Sequence, residues 1–377
     1  MLKKEKMLTK TQFLQQLDQL VQFQTVTGNQ DQVKKAFDYI VSLISAKAKV
    51  KRLENNGFET LLAFNQETKK PEFGYMVHLD VVSATSSLFK MRKEKNKVFG
   101  RGVSDMKFSI PIGISLLNEL IEKKSATSFC LIITSDEEIG GFNGGKFLAD
   151  EFKLRPLTLI VPDGGDNLLF VNKSKGVAQF EVTAKGSAAH ASRPWQGKNA
   201  LPKICQLVNQ LEKKYGVNSQ KENWNTTLNF GQLTGGISTN QVCDLATLKI
   251  DFRYPETDSL ERIELELRQL ANQIDKSIQI TRLSTGLPTF TDTNLPVVKK
   301  FLAVLSQEFG QQILIQPNYG ASDARHFARF ITPVLMIKPV GGDIHCDSEW
   351  LDVDSTMKFS RALQKFILKG DDEKKSS

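Results

Sequence analysis

Tyr75-Met-Val-His-Leu-Asp-Val-Val82 is the stretch on which the reading of this chain turns. Residues 74–77 form a short apolar run, closed at once by the polar residues His78 and Asp80. A run of that length with polar punctuation reads as a buried strand. On a strand, positions i and i+2 share a face, so His78 and Asp80 point the same way. The same form recurs at residues 128–133, 157–161 and 335–337, and an apolar helix candidate covers 110–121. Upstream, residues 9–47 have helical periodicity in Phe13, Leu17, Leu20 and Val21, then in Val33, Phe37, Ile40 and Val41. Short buried strands alternating with helices predict an α/β layer architecture.

The pattern changes near Lys175. Residues 177–184 alternate, with Ala178, Phe180, Val182 and Ala184 on one face and Val177, Gln179, Glu181 and Thr183 on the other. A helix candidate follows at 200–215, then two more alternating stretches at 226–233 and 246–254. A charged amphipathic helix at 260–274 and a last strand at 277–283 complete the set. That order, strand-helix-strand-strand-helix-strand, predicts an inserted α+β (ferredoxin-like) domain with its helices on one face of an antiparallel sheet. After Pro288 the first pattern returns, with a helix at 297–309. The expected organisation is an α/β/α domain made of residues 8–175 and 288–370, with a mostly parallel central sheet, interrupted by a smaller domain over 176–287. The closing Gly370-Asp-Asp-Glu-Lys-Lys-Ser-Ser377 reads as disordered.

With 377 residues, 40% hydrophobic and 24% charged, the chain can bury a full core without disulfides or a structural metal. No run approaches the roughly 18 apolar residues of a membrane span; residues 108–117 come nearest. The basic N-terminus has no apolar segment or cleavage site behind it, which argues against secretion and for a cytoplasmic protein. The four cysteines lie far apart, against a disulfide framework or a cysteine-zinc cluster. Net charge is 50 − 42 = +8. The cations are spread along the chain, and their densest stretches also carry acids. Neither nucleic acid nor membrane is expected as a partner.

Candidate chemistry sits at the ends of the short strands. Alone, His78 would be a satisfied core histidine; beside a metal, Asp80 could accept its second N–H and set its tautomer. Asp105 lies in Gly100-Arg-Gly-Val-Ser-Asp-Met-Lys107, where a helix N-cap is the plain alternative. Glu137 and Glu138 follow a strand in Thr134-Ser-Asp-Glu-Glu-Ile-Gly-Gly141. Two adjacent carboxylates point apart, so one can bind a metal while the other moves a proton; a solvated acidic turn would look the same. Asp163 ends a further apolar run in Val161-Pro-Asp-Gly-Gly-Asp166, and His345 stands in Gly341-Gly-Asp-Ile-His-Cys-Asp-Ser-Glu349.

In this order the motifs resemble the di-zinc exopeptidase and deacylase family, peptidase family M-20, over nearly the whole chain. The resemblance implies that Asp105 bridges two divalent ions, with His78 and Asp163 completing one site and Glu138 and His345 the other. Zinc suits such oxygen and nitrogen donors, as do cobalt and manganese. It implies that Asp80 orients His78, and that Glu137 is the general base that takes a proton from a metal-activated water and passes it to the leaving amine. Gly186-Ser-Ala-Ala-His-Ala-Ser-Arg-Pro194 looks like the start of the family's lid or dimerisation domain. There His190 would stabilise the oxyanion, in a homodimer often from the partner subunit.

The same resemblance points to Asn240, Arg253, Ser322 and Arg325 as substrate contacts, the arginines matching a carboxylate. Arg253 could equally pair with Asp251 on its own strand, and His326 reads as a packing histidine. Two departures stand out: Val77 where the family has glycine, and Lys107-Phe-Ser109 where it has Lys-Gly-Gly. Asp163 goes with the aminopeptidases and dipeptidases of the family. Ser322-Asp-Ala-Arg325 goes with its desuccinylase-like branch. The weight given to Asp163 makes the expected activity hydrolysis of a di- or tripeptide. An N-acyl-amino-acid or N-succinyl-diamino-acid deacylase is the alternative, and an inactive binding protein of the same fold a more remote one.

Overall fold

A computed structural model describes residues 8–375 except Asp166, Ala321 and Ile331, and leaves out the side chains of residues 369–375. The chain divides into two compact units. Of the described residues, the first comprises those from 8 to 173 together with 290–318 and 322–375; the second is 174–289 with Tyr319 and Gly320.

In the first unit, Thr9 opens the helix Lys10–Gln22 with a reciprocal cap: its hydroxyl accepts the Gln12 N–H, and Gln12 Oε1 accepts the Thr9 N–H. Phe13, Leu17, Leu20 and Val21 form its buried stripe. Val33, Ala36, Phe37 and Ile40 form that of the next helix, Gln30–Leu43. A hairpin absent from the sequence reading follows, Lys49–Asn55 against Phe58–Phe64. Its turn is Asn56-Gly57, with φ of 49° and 82°, the two-residue loop whose twist matches paired strands.

The central sheet is mixed rather than mostly parallel throughout. Its middle is parallel: Phe129–Thr134, Phe73–His78, Thr158–Val161 and Val334–Met336 lie side by side. The first three of these strands are buried along their whole length, as strands covered on both faces must be. Antiparallel neighbours flank them, Phe58–Phe64 on one side and, through Val171 opposite Met336, Leu169–Ser174 on the other. The apolar helix Ser109–Glu122 makes the crossover between Phe73–His78 and Phe129–Thr134. His78 ends one parallel strand, and Asp136–Glu138 and Asp163 follow the ends of two others. Carboxyl ends of parallel strands are where open α/β sheets place ligands.

The last helix, Val353–Lys375, corrects the expectation of a disordered tail from residue 370. Its backbone is helical through Lys375, while Ser376 and Ser377 lie outside the described residues.

The second unit is a four-stranded antiparallel sheet in the order Thr227–Gly235, Leu245–Tyr254, Gly176–Lys185, Gln279–Gly286. Ala178, Phe180, Val182 and Ala184 are buried, and pack in one cluster with Ile204, Leu207 and Leu211 of helix Leu201–Ser219 and Ile263 and Leu267 of helix Leu260–Ile274. Chain order and strand order together are ferredoxin-like. Among the described residues no helix is long and apolar enough to cross a membrane, and Cys130, Cys205, Cys243 and Cys346 are all free thiols.

Candidate metal centre

Two groups of side chains converge at the carboxyl ends of the parallel strands and share one member. The ligand atoms of His78, Asp105 and Asp163 lie within 4.8 Å of one another, and so do those of Asp105, Glu138 and His345. His78 Nδ1 is 2.9 Å from the Asp80 backbone carbonyl, which can only accept, so Nδ1 carries the hydrogen. Nε2 then faces Asp105 Oδ1 at 3.1 Å, where it donates when the ring is charged and is the nitrogen left to bind a cation when it is not. On the other side, His345 Nε2 is 3.1 Å from Asp105 Oδ2 and 3.2 Å from Glu138 Oε2. Electron-rich atoms at such distances need a proton or a cation between them. Donors about 3.3 Å apart are what a tetrahedral ion with bonds of about 2 Å requires. The residues present fit a pair of divalent cations.

Electrostatics of the cluster agree. Burial pushes the Glu137 carboxyl well above its usual range and Glu138 up to about 7; burial, then the Asp105 charge, raises Asp163. Asp105 goes the other way: against burial, hydrogen bonds with His345 and His78 hold it low. His78 in turn is raised despite burial, chiefly by Asp105 and Asp80. A site whose carboxylates resist ionisation together is short of positive charge.

Two acids hold this centre in place. Asp80 was expected to orient His78 through its carboxylate. The backbone carbonyl of Asp80 takes the imidazole hydrogen instead, and its Oδ1 lies 3.6 Å from the ring nitrogen. The Asp80 carboxylate accepts the backbone N–H of Glu137 at 3.2 Å and of Glu138 at 3.1 Å, and the Thr27 hydroxyl at 2.9 Å. Glu349, given no role from sequence, is almost wholly buried and accepts the N–H groups of Gly102, Ser104 and Asp105 and the Arg101 guanidinium. Arg101 also donates to the His345 carbonyl, so one buried ion pair ties the two ligand loops together. The spacing of Glu349 four residues after His345 was the only signal for it.

The departures are absorbed by packing. Val77 and Phe108 are core residues, and Lys107 is fully buried with its Nζ donating to the carbonyls of Leu20 and Phe23.

A family model, "Peptidase family M20/M25/M40", matches residues 74–369. The chain belongs to this family. As a member of M20 it is a hydrolase of a metal-dependent family. The M20 chain is 24% identical over 331 residues to the succinyl-diaminopimelate desuccinylase of Dechloromonas aromatica, covering 84% of this chain and 87% of that one. Its fold is that of a Staphylococcus aureus tripeptidase (TM-score 0.76, 19% identity, 96% of this chain and 98% of that). It is equally that of aminopeptidase PepT from Bacillus cereus (TM-score 0.77, 18% identity, 95% and 98%).

The other residues singled out in this M20 chain fall in both units. In the second unit His190 is exposed, and its Nδ1 accepts from Ser192 N–H at 3.1 Å, which leaves the hydrogen on Nε2. Ala191 N–H donates to the Asn240 carbonyl at 2.9 Å, so the loops carrying His190 and Asn240 are tied together. Arg253 makes a two-pronged ion pair with Asp251 at 2.9 and 3.0 Å. In the first unit Ser322 and Arg325 are buried, and Arg325 Nη2 donates to the Gly140 carbonyl at 2.5 Å.

Proposed function

We propose that this protein is a cytoplasmic, homodimeric exopeptidase that hydrolyses di- or tripeptides with two divalent cations, zinc by preference and cobalt or manganese as substitutes. The observation that carries the reading is Asp163, whose carboxylate groups with His78 and Asp105. Arg325, from the loop that resembles the desuccinylase-like branch, is engaged by the Gly140 carbonyl, so that sign loses weight.

Bound cations would polarise the amide carbonyl and acidify a water. Glu137 takes the proton of the attacking water and returns it to the leaving amine. Its high proton affinity in the buried turn suits it to hold that proton between the two steps. Asp80 holds the turn through both glutamate N–H groups. His190 offers its Nε2–H to the oxyanion, and Asn240 and Ser322 remain candidates for placing the substrate.

A second reading, deacylation of an N-acyl amino acid, is favoured by the desuccinylase of Dechloromonas aromatica among the relatives. Hydrolysis of a mixed pool of free di- and tripeptides and N-acyl amino acids, with zinc and with a chelator, separates the two. Chelator-sensitive loss of the free-amine peptides is expected; loss of the N-acylated members alone would overturn the peptidase reading.

A further inference from the structure

The single 3-10 turn Glu137–Ile139 carries both the general base of the proposed reaction and a metal ligand, and it ends at Gly140, whose φ is 109°. The Gly140 carbonyl accepts two side-chain hydrogen bonds, from Arg325 Nη2 at 2.5 Å and from His326 Nε2 at 3.0 Å. A carbonyl only accepts, so Nε2 of His326 bears its hydrogen. Burial, with Arg325 alongside, lowers the His326 pKa to about 3 and keeps that ring neutral.

The same segment closes on the turn elsewhere. Asp323 Oδ2 accepts the Thr134 hydroxyl at 3.0 Å, at the strand end that leads into the turn. Its Oδ1 lies where a Cβ on Gly141 would come within 1.7 Å, so only glycine at 141, itself at φ 64°, lets the carboxylate in. The Phe142 ring stands edge-on to His326 at 5.8 Å, with the Arg325 guanidinium 5.8 Å from its centroid. Asp80 grips the front of the turn through two N–H groups; Arg325 and His326 grip its last carbonyl.

We infer that Asp323–His326 braces the Glu137–Glu138 turn, and that Arg325 is a positioning residue for the base rather than a grip for a substrate carboxylate. The inference rests on the reading of Glu137 as base. Arg325 is buried, lies against an aromatic ring and directs Nη2 at the last carbonyl of the turn, which places its charge at the turn rather than in open solvent.

The test uses the full-length, zinc-supplemented protein and compares Arg325→Met, which keeps the stem without the donors, with Arg325→Lys, which restores one. Backbone amide exchange over residues 137–141 should be at least tenfold faster in Arg325→Met and intermediate in Arg325→Lys, while the strand Phe73–His78 keeps its protection. On a peptide and on its C-terminal carboxamide alike, kcat should fall at least tenfold with KM within threefold. Unchanged exchange in the turn, or a rise in KM confined to the carboxylate-bearing substrate, would overturn the brace. If Arg325→Met does not fold, His326→Leu removes the second donor and is read in the same way. Exchange needs no substrate, so a parent protein idle on peptides would sink the peptidase reading while the brace is still decided.

Discussion

Asp105 presents each of its oxygens to a different imidazole nitrogen at 3.1 Å, and that doubling is what makes two overlapping sites out of five side chains. Its neighbours differ in what holds them. His78 rides on a buried strand, whereas His345 sits in a loop at φ 64°, a left-handed backbone that costs a non-glycine residue on the order of 1 kcal/mol. The Arg101–Glu349 pair behind that loop offsets the strain by fixing the His345 carbonyl. Glu137, in contrast, belongs to neither ligand group. Glu137→Gln keeps shape and loses the proton acceptor, so kcat should drop roughly a hundredfold or more with metal content at the parent value. Metal analysis beside a rate assay checks this, and a rate near the parent's would remove Glu137 as base.

At the scale of elements, the turn after Phe129–Thr134 is held by partners far away in the chain, and one of them titrates. His326 has an ordinary value of 6.5 and is lowered to about 3 by burial and by Arg325. The unfolded chain binds this proton more tightly than the folded one, so acid favours unfolding. The contribution of neutral His326 is complete above about pH 6.5 and is lost progressively toward pH 3. Between pH 6.5 and 5 the loss is about 2 kcal/mol. His326→Gln keeps a donor for Gly140 without the titration. Urea melts at pH 7 and pH 5 should therefore show a smaller acid loss in the variant than in the parent; parallel losses would mean that His326 is not the group involved. Elements differed in how plainly they could be read. Strongly periodic helices such as Leu260–Ile274 matched to the residue. The hairpin around Asn56-Gly57 carried a turn signal that went unused, and the three-residue strands Arg92–Glu94, Lys97–Phe99 and Trp350–Asp352 are too short to show a period.

For the molecule as a whole, the ligand groups belong to the first unit and His190 to the second. His190→Ala should lower kcat much more than it changes KM, because an oxyanion contact acts in the transition state. Mixing it with Glu137→Gln should restore part of the activity in mixed dimers if His190 acts across the dimer. A mixture as inactive as its parts would confine His190 to its own chain. By itself the sequence determined the layered α/β domain and the ferredoxin-like insertion, and its resemblance to M20 implied the five residues that group as candidate ligands. Burial periodicity and donor chemistry are local properties, written in residue type and spacing. Tertiary structure alone decided that the Asp80 carboxylate grips the glutamate turn and that Glu349 ties the ligand loops together. It also decided that Arg253 and Arg325 are already bonded within the chain. Each of these depends on which group a side chain meets after folding, and that partner lies anywhere from two to more than two hundred residues away. A carboxylate or guanidinium looks the same in sequence whether it meets a metal, a substrate or a peptide group, because only the folded chain sets which of them is within hydrogen-bond reach.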